Sequence, residues 1–118
     1  MSEKHALGSL ADRIRAFSLE RDWDQFHSPK NLAMAMVSEV GELVEHFQWL
    51  TEEQSRHIKK EKLPDIEEEL ADVLIYLVRL ADKLDVDLIA VANKKIDRNA
   101  EKYPVEKARG SAKKYTEI

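Results

Sequence analysis

Four acidic residues form two pairs with the same spacing. Glu39 and Glu42 lie three residues apart in SEVGELVEHFQWL, and Glu69 and Asp72 lie three apart in DIEEELADVLIYL. On a helix, this spacing places two side chains next to each other, with Cβ atoms about 5–6 Å apart. If the two helices pack antiparallel, the pairs can face each other, and four facing carboxylates repel strongly unless a cation lies between them. One interpretation of the two pairs is therefore a site for a divalent metal ion.

The other interpretation is a solvated helix face. With 23 acidic residues in a chain of 118, such pairs also arise by chance. Both pairs, however, adjoin the most apolar stretches of the chain. Gly41, between the first two acids, costs a helix about 1 kcal/mol relative to alanine, so we expect another backbone or a ligand to pack closely against it. Oxygen ligands without cysteine suit Mg²⁺ or Mn²⁺, which would indicate metal-assisted hydrolysis at phosphorus.

A di-iron bundle is a competing use of helical carboxylates. That site requires Glu-x-x-His on two helices. None of the four histidines has a glutamate three residues before it. The sequence therefore argues against a di-iron centre.

Apolar periodicity predicts the helices that must position these acids. We expect four main helices and a short one, over about 7–22, 29–49, 51–60, 64–84 and 86–101. Ser28 and Pro29 have the types expected at a helix start, and Thr51 with Gln54 forms a possible capping box. Asp85 is the expected cap of the last helix. On the long helix, Asp65, Glu69, Asp72 and Tyr76 share one stripe beside an apolar seam of Ile66, Leu70, Val73, Leu77, Leu80 and Leu84.

These elements predict an all-α fold, an antiparallel bundle of four main helices in a single domain, residues 1–118. Residues 104–118 are expected to form an extended tail. So short a chain can hardly cover two core helices of roughly 30 Å each, so we expect an oligomer. The alternative to an enzyme is a non-catalytic helical interaction protein.

Composition limits the class of protein further. The chain has no cysteine, its start MSEKHALGSL lacks the apolar run of a signal peptide, and it has no apolar stretch of membrane-spanning length. We expect a cytoplasmic protein that binds no membrane. Residues 94–118 have 8 basic and 4 acidic residues, whereas the remainder is acidic. This distribution does not indicate nucleic-acid binding, although a basic segment could also neutralise phosphates bound at a metal site.

Longer stretches resemble a known family. The pattern Glu39-x-x-Glu42 with Glu69-x-x-Asp72 is similar to the metal-binding motif of the all-α nucleoside triphosphate pyrophosphatases, the MazG-like superfamily. Four further stretches resemble its dCTP pyrophosphatase branch: RDWDQFHSPKNLAMAMVSEVGELVEHFQW, EEELADVLIYLVRLAD, VDLIAVANKKIDRNAEKYP and KKYTEI. The similarity covers roughly residues 10–118, except about 51–64.

The resemblance implies a homotetramer built from two dimers. It also implies Mg²⁺-dependent cleavage of dCTP, or modified dCTP, to dCMP and pyrophosphate in nucleotide-pool housecleaning. A broader dNTP specificity is the alternative within the same superfamily.

The resemblance also implies roles for individual residues. Glu39, Glu42, Glu69 and Asp72 would be catalytic residues that hold Mg²⁺, with Mn²⁺ as a substitute. The implied substrate-binding residues are Trp23, His27 and Trp49 around the base and sugar, Tyr76, Lys95 and Arg98 near the phosphates, and Asn99 on the base. Each has a simpler explanation by type alone: core packing for the aromatics, a structural role for His27, a cap for Asn99 and a solvated face for Lys95 and Arg98.

Overall fold

The chain is all-helical over residues 3–118, which the computed structural model describes, with side chains from Ala6 onward. Met1 and Ser2, the start of the segment predicted to lack a signal peptide, lie outside the described residues. The helices are α1 Glu3–Glu20, α2 Pro29–Glu45, α3 Glu52–Ser55, α4 Leu63–Lys83, α5 Leu88–Lys102 and α6 Val105–Ala108, with 3-10 turns at Asp24–Phe26 and Tyr115–Glu117. The all-α prediction is confirmed. Over residues 3–118, no helix has the length and apolar character needed to cross a membrane.

The described chain divides into two compact units, one ending at Val86 and the other running from Asp87 to Ile118. The first contains α1 to α4, and the second contains α5 and α6. A single domain over 1–118 therefore stays a prediction. The segment expected to be an extended tail, 104–118, contains α6 and the second 3-10 turn.

Local capping accounts for several helix boundaries. The Ser28 hydroxyl accepts a hydrogen bond from the backbone N–H of Asn31 at 3.1 Å, and Pro29 opens α2. The predicted capping box between Thr51 and Gln54 is present at α3. The prediction for Asp85 was wrong, because Asp87 caps α5 by accepting from Ala90 N–H at 3.1 Å. Asp85 instead adopts a left-handed backbone, φ 54°, just after α4, a conformation that aspartate tolerates better than most residues.

Helix α4 is the centre of the first unit, and α2 and α1 both pack against it. The contacts show that α2 and α4 are antiparallel. His27, just before α2, meets Arg79 near the end of α4, whereas His46, just after α2, lies 3.9 Å from Glu69. The antiparallel packing that the acidic pairs required is thus present.

The buried apolar core of this unit is small. Its members are Ile14, Leu32, Ile66, Val78 and Ala81. The seam expected on α4 is only partly buried, since Leu70 and Leu84 are 52% and 55% exposed. Helices α1 and α2 cover too little of the circumference of α4 to bury the whole seam.

Candidate active site

The two acidic pairs meet where α2 crosses α4. Glu39, Glu69 and Asp72 each offer a carboxylate oxygen, and the three oxygens lie within 4.8 Å of one another. Glu42, one turn along α2, is close enough to raise the pKa of both Glu39 and Glu69. We call these four residues the carboxylate cluster. The structure thus brings together all four predicted ligands, whose role in metal binding stays a prediction.

The cluster concentrates negative charge in a partly desolvated place. The hydrogen bond with Glu42, burial, and repulsion by Glu42, Asp72 and Glu69 raise the pKa of Glu39 to about 7. Burial and then Glu42 also raise the pKa of Glu69, and His46 opposes this only in part. Oε2 of Glu39 and Oε2 of Glu69 are buried, and no described residue hydrogen-bonds to either atom. Buried carboxylate oxygens without a donor are costly, so the cluster is arranged for a positive partner.

Gly41 does not have the close neighbour that its position suggested. A Cβ added to Gly41 would meet no atom within 4 Å in the described chain. No backbone of the described chain therefore packs closely against this glycine, and close approach of a ligand there stays a prediction. An exposed helix position needs no glycine for steric reasons.

Tyr76 continues the acidic stripe of α4. It is half-buried, and it lies one helical turn beyond Asp72. Arg79 and Lys83 follow on the same stripe at spacings of three and four residues, which place side chains on one helix face. One polar face of α4 therefore runs from the carboxylate cluster to the segment that contains Trp23 and His27.

The predicted aromatic residues are accessible. Trp23 is 45% exposed and packs edge-on against Phe17, with 5.6 Å between ring centroids. Trp49 is 87% exposed in the turns after α2. A tryptophan this exposed contributes little to a core, which weakens the core-packing explanation for Trp49.

An ionic network around Arg79 was missed by the sequence analysis. The Arg79 side chain is 4% exposed, and its guanidinium donates to Nδ1 of His27 at 3.2 Å and to Asp24 at 2.6 Å. Asp24 also pairs with Lys83, and Asp82 pairs with Arg79 and with Arg15. The sequence feature that could have predicted this network is Arg79 itself, an arginine inside the otherwise apolar run LIYLVRLA. A buried arginine requires partners, so this position should have been expected to bind acids.

A cavity also escaped the sequence analysis. Its volume is about 710 Å³, which is within the usual range for small-molecule pockets. It is lined by His46, Leu50, Glu53, Gln54, His57, Ile58, Lys59, Glu61 and Lys62. Because His46 also approaches Glu69, the cavity adjoins the carboxylate cluster.

The three remaining predicted residues lie in the second compact unit. Lys95, Arg98 and Asn99 are exposed on α5. Their spacing of three and four residues puts Lys95, Arg98 and Asn99 on one side of that helix. Their roles at a substrate stay predictions.

Comparison with known proteins gives consistent matches. The model of the MazG-like family matches residues 34–118. Mouse dCTP pyrophosphatase 1 is 50% identical over 104 residues, which cover 86% of this chain and 61% of the mouse protein. The human dCTP pyrophosphatase 1 is 48% identical with the same coverage. The chain therefore spans about 61% of the length of these mammalian relatives.

A solved structure is similar in fold and in sequence. A pyrophosphatase from Archaeoglobus fulgidus superposes with a TM-score of 0.80 at 37% identity, covering 88% of this chain and 97% of that protein. The family match includes α4 and all four members of the carboxylate cluster. With a family model matched over most of its length and this helical fold, the chain belongs to the MazG-like family.

Proposed function

We propose that this protein is a Mg²⁺-dependent nucleoside triphosphate pyrophosphohydrolase that converts dCTP, or a 5-modified dCTP, and water to dCMP and pyrophosphate. The observation that carries the proposal is the carboxylate cluster, with its two buried oxygens that lack a donor. About half identity to two mammalian dCTP pyrophosphatases supports the choice of nucleotide. The proposed role is removal of unwanted nucleotides from the cytoplasmic pool.

The donor set fits a hard divalent cation. Its ligand atoms are all carboxylate oxygens, and those of Glu39, Glu69 and Asp72 lie within 4.8 Å of one another, close enough to share one ion. Glu39, Glu42, Glu69 and Asp72 would hold the metal, and Mn²⁺ is the expected substitute. When bound, Mg²⁺ supplies positive charge for the phosphates and lowers the pKa of water in the site.

Side chains outside the carboxylate cluster would position the nucleotide. The proposed nucleoside site uses Trp23 and Trp49 as stacking surfaces and His27 as a hydrogen-bonding group. Tyr76 stands between this site and the cluster along α4, where its hydroxyl would donate to a phosphate oxygen. From Asp72 to Arg79 the helix rises about 10 Å, so this length of α4 separates the carboxylate cluster from the proposed nucleoside site.

Residues of the second unit have proposed roles too. Lys95 and Arg98 would neutralise phosphate charge, and Asn99 has both a donor and an acceptor that suit the edge of cytosine. These roles rest on the position of each residue in the motif KKIDRN.

The proposed assembly is a homotetramer, a dimer of dimers. Its support is the exposed apolar surface on the two central helices, since such surfaces in a small soluble chain mark sites of association. Val37, Val40 and Val44 of α2 and Leu70, Leu74 and Leu77 of α4 are exposed.

A nucleotide panel tests the proposed function. Purified protein is incubated with Mg²⁺ and each of dCTP, 5-methyl-dCTP, dATP, dGTP, dTTP and CTP, and pyrophosphate and orthophosphate are measured separately. We expect pyrophosphate release, fastest from the deoxycytidine nucleotides. Equal rates for all dNTPs would favour a broad-specificity enzyme. No release from any triphosphate would refute the enzyme and favour a helical interaction protein.

A further inference from the structure

Arg79 is the most buried charged residue for which the proposed function gives no role. Its side chain is only 4% exposed, and its neighbours Val78 and Ala81 on α4 are also buried. Burying a cation costs free energy unless its donors are all used. The hydrogen-bond partners of the guanidinium nitrogens therefore explain how this buried charge is stabilised.

Each part of the guanidinium has a different partner. Nη2 donates to Asp24 Oδ1 at 2.6 Å, Nη1 approaches Asp82 Oδ2 at 3.4 Å, and Nε donates to His27 Nδ1 at 3.2 Å. The two aspartates neutralise the charge. The bond to His27 is different, because it joins the cation to a neutral ring.

That bond fixes the protonation of the His27 ring. Arginine has only donors, so the nitrogen that Arg79 meets has to be unprotonated. A neutral imidazole with an unprotonated Nδ1 has its hydrogen on Nε2. Burial and then the charges of Arg79 and Lys83 lower the pKa of His27, against the smaller opposite effect of Asp24, so the ring is neutral at about pH 7.

The second nitrogen of the ring is available. His27 is half-buried, and no described residue hydrogen-bonds to its Nε2. The ring therefore presents one N–H donor, held in place by Arg79 of α4, the helix that also carries Glu69 and Asp72 of the carboxylate cluster.

We propose that Arg79 is a positioning residue that holds His27 as a neutral imidazole with its hydrogen on Nε2, so that the ring donates to an oxygen or nitrogen acceptor on the nucleoside part of the substrate. The first half of this inference concerns the free protein, and the second half rests on the proposed function. Arg79 acts through His27 and touches no substrate itself.

The first test is NMR of the ¹⁵N-histidine-labelled protein without nucleotide at about pH 7. His27 is assigned by its loss in His27→Gln. We expect the two ring nitrogens of His27 to report a single neutral tautomer with hydrogen on Nε2. In Arg79→Gln, the shifts are expected to move toward an average of the two tautomers. A wild-type ring with hydrogen on Nδ1, or a charged ring, would overturn the inference even if the variant failed to fold.

The second test is steady-state kinetics with dCTP and Mg²⁺. One hydrogen bond is worth roughly 2- to 12-fold in affinity, so Arg79→Gln should raise KM about 5-fold and leave kcat within about 2-fold. Arg15→Gln is the matched control, since Arg15 pairs with Asp82 at 2.6 Å in the same network but does not touch His27. Arg15→Gln should leave KM unchanged.

A double variant separates positioning from general damage. If Arg79 acts through His27, then Arg79→Gln should raise KM little further in a His27→Gln background. An equal rise in both backgrounds would overturn the inference and leave the proposed function intact. If the wild type hydrolyses no triphosphate, the proposed function and the nucleoside contact both fail, whereas the NMR result still decides the tautomer.

Discussion

Charge repulsion in the carboxylate cluster should make the metal-free protein unusually sensitive to pH. The perturbation that exposes this is Glu39→Gln, which keeps the shape of the side chain and removes its ionisation. The folded protein raises the pKa of Glu39 from an ordinary 4.5 to about 7. Because the folded state holds its proton more tightly than the unfolded state, the free energy of unfolding falls as the pH rises through this interval.

The size of the effect follows from the shift. Each pKa unit corresponds to about 1.4 kcal/mol, so the shift of Glu39 sets a ceiling of about 3 kcal/mol. Access of solvent and salt to a half-buried group lowers this to about 1–2 kcal/mol. We expect Glu39→Gln without metal to be more stable than the wild type by that amount at about pH 8, and nearly equal to it at about pH 4.

The assay is urea unfolding followed by circular dichroism, with EDTA and then with Mg²⁺, at both pH values. Mg²⁺ should stabilise the wild type at pH 8 and much less at pH 4, because protons compete for the carboxylates. It should not stabilise Glu39→Gln comparably. Glu68→Gln is the matched control, since Glu68 is exposed on the same helix as Glu69 but is not part of the cluster. A stability difference between Glu39→Gln and the wild type that does not grow between pH 4 and pH 8 without metal, or a Mg²⁺ response kept in Glu39→Gln, would refute the reasoning.

Three further predictions concern other parts of the chain. Gly41→Ala should raise the free energy of unfolding by up to about 1 kcal/mol in urea titration, since a Cβ meets no atom there; a loss of stability would show that another surface packs on this position. Trp49→Ala should raise KM for dCTP about 5- to 150-fold by removing a stacking surface, with little change in Tm because the ring is 87% exposed; an unchanged KM would remove Trp49 from the site. Asp82→Asn should destabilise the protein at about pH 7, because the hydrogen bond and charge of Arg15 lower the pKa of Asp82. The deficit should shrink as the pH falls below about 3.8, where the wild type loses the same charge, and a deficit independent of pH would contradict this assignment.

Much of the helical framework could be predicted from the sequence, because it depends on local rules. Apolar periodicity predicted α2 and α4, and short-range hydrogen bonds predicted the caps at Ser28 and Thr51. The prediction that Asp85 caps α5 failed, because Asp87 is the cap. Both are aspartates near the start of α5, and only the backbone conformation after α4 distinguishes them.

The carboxylate cluster was predictable because it needs only two local spacings and one antiparallel contact. The Arg79 network was not, because it joins residues that are 52 and 55 positions apart in the chain. Sequence periodicity does not report such pairings. Gly41 shows the opposite error, in which a residue type suggested a contact that the described chain does not make.

The central claim is that water attacks the α-phosphorus of the triphosphate at the carboxylate cluster when Mg²⁺ is present, and that pyrophosphate is the leaving group. The most direct measurement is turnover of dCTP with Mg²⁺ in ¹⁸O-labelled water, followed by mass spectrometry of both products. The proposed reaction places one ¹⁸O in dCMP and none in pyrophosphate, and EDTA stops it. Label in pyrophosphate, release of orthophosphate, or turnover that continues with EDTA would contradict the claim.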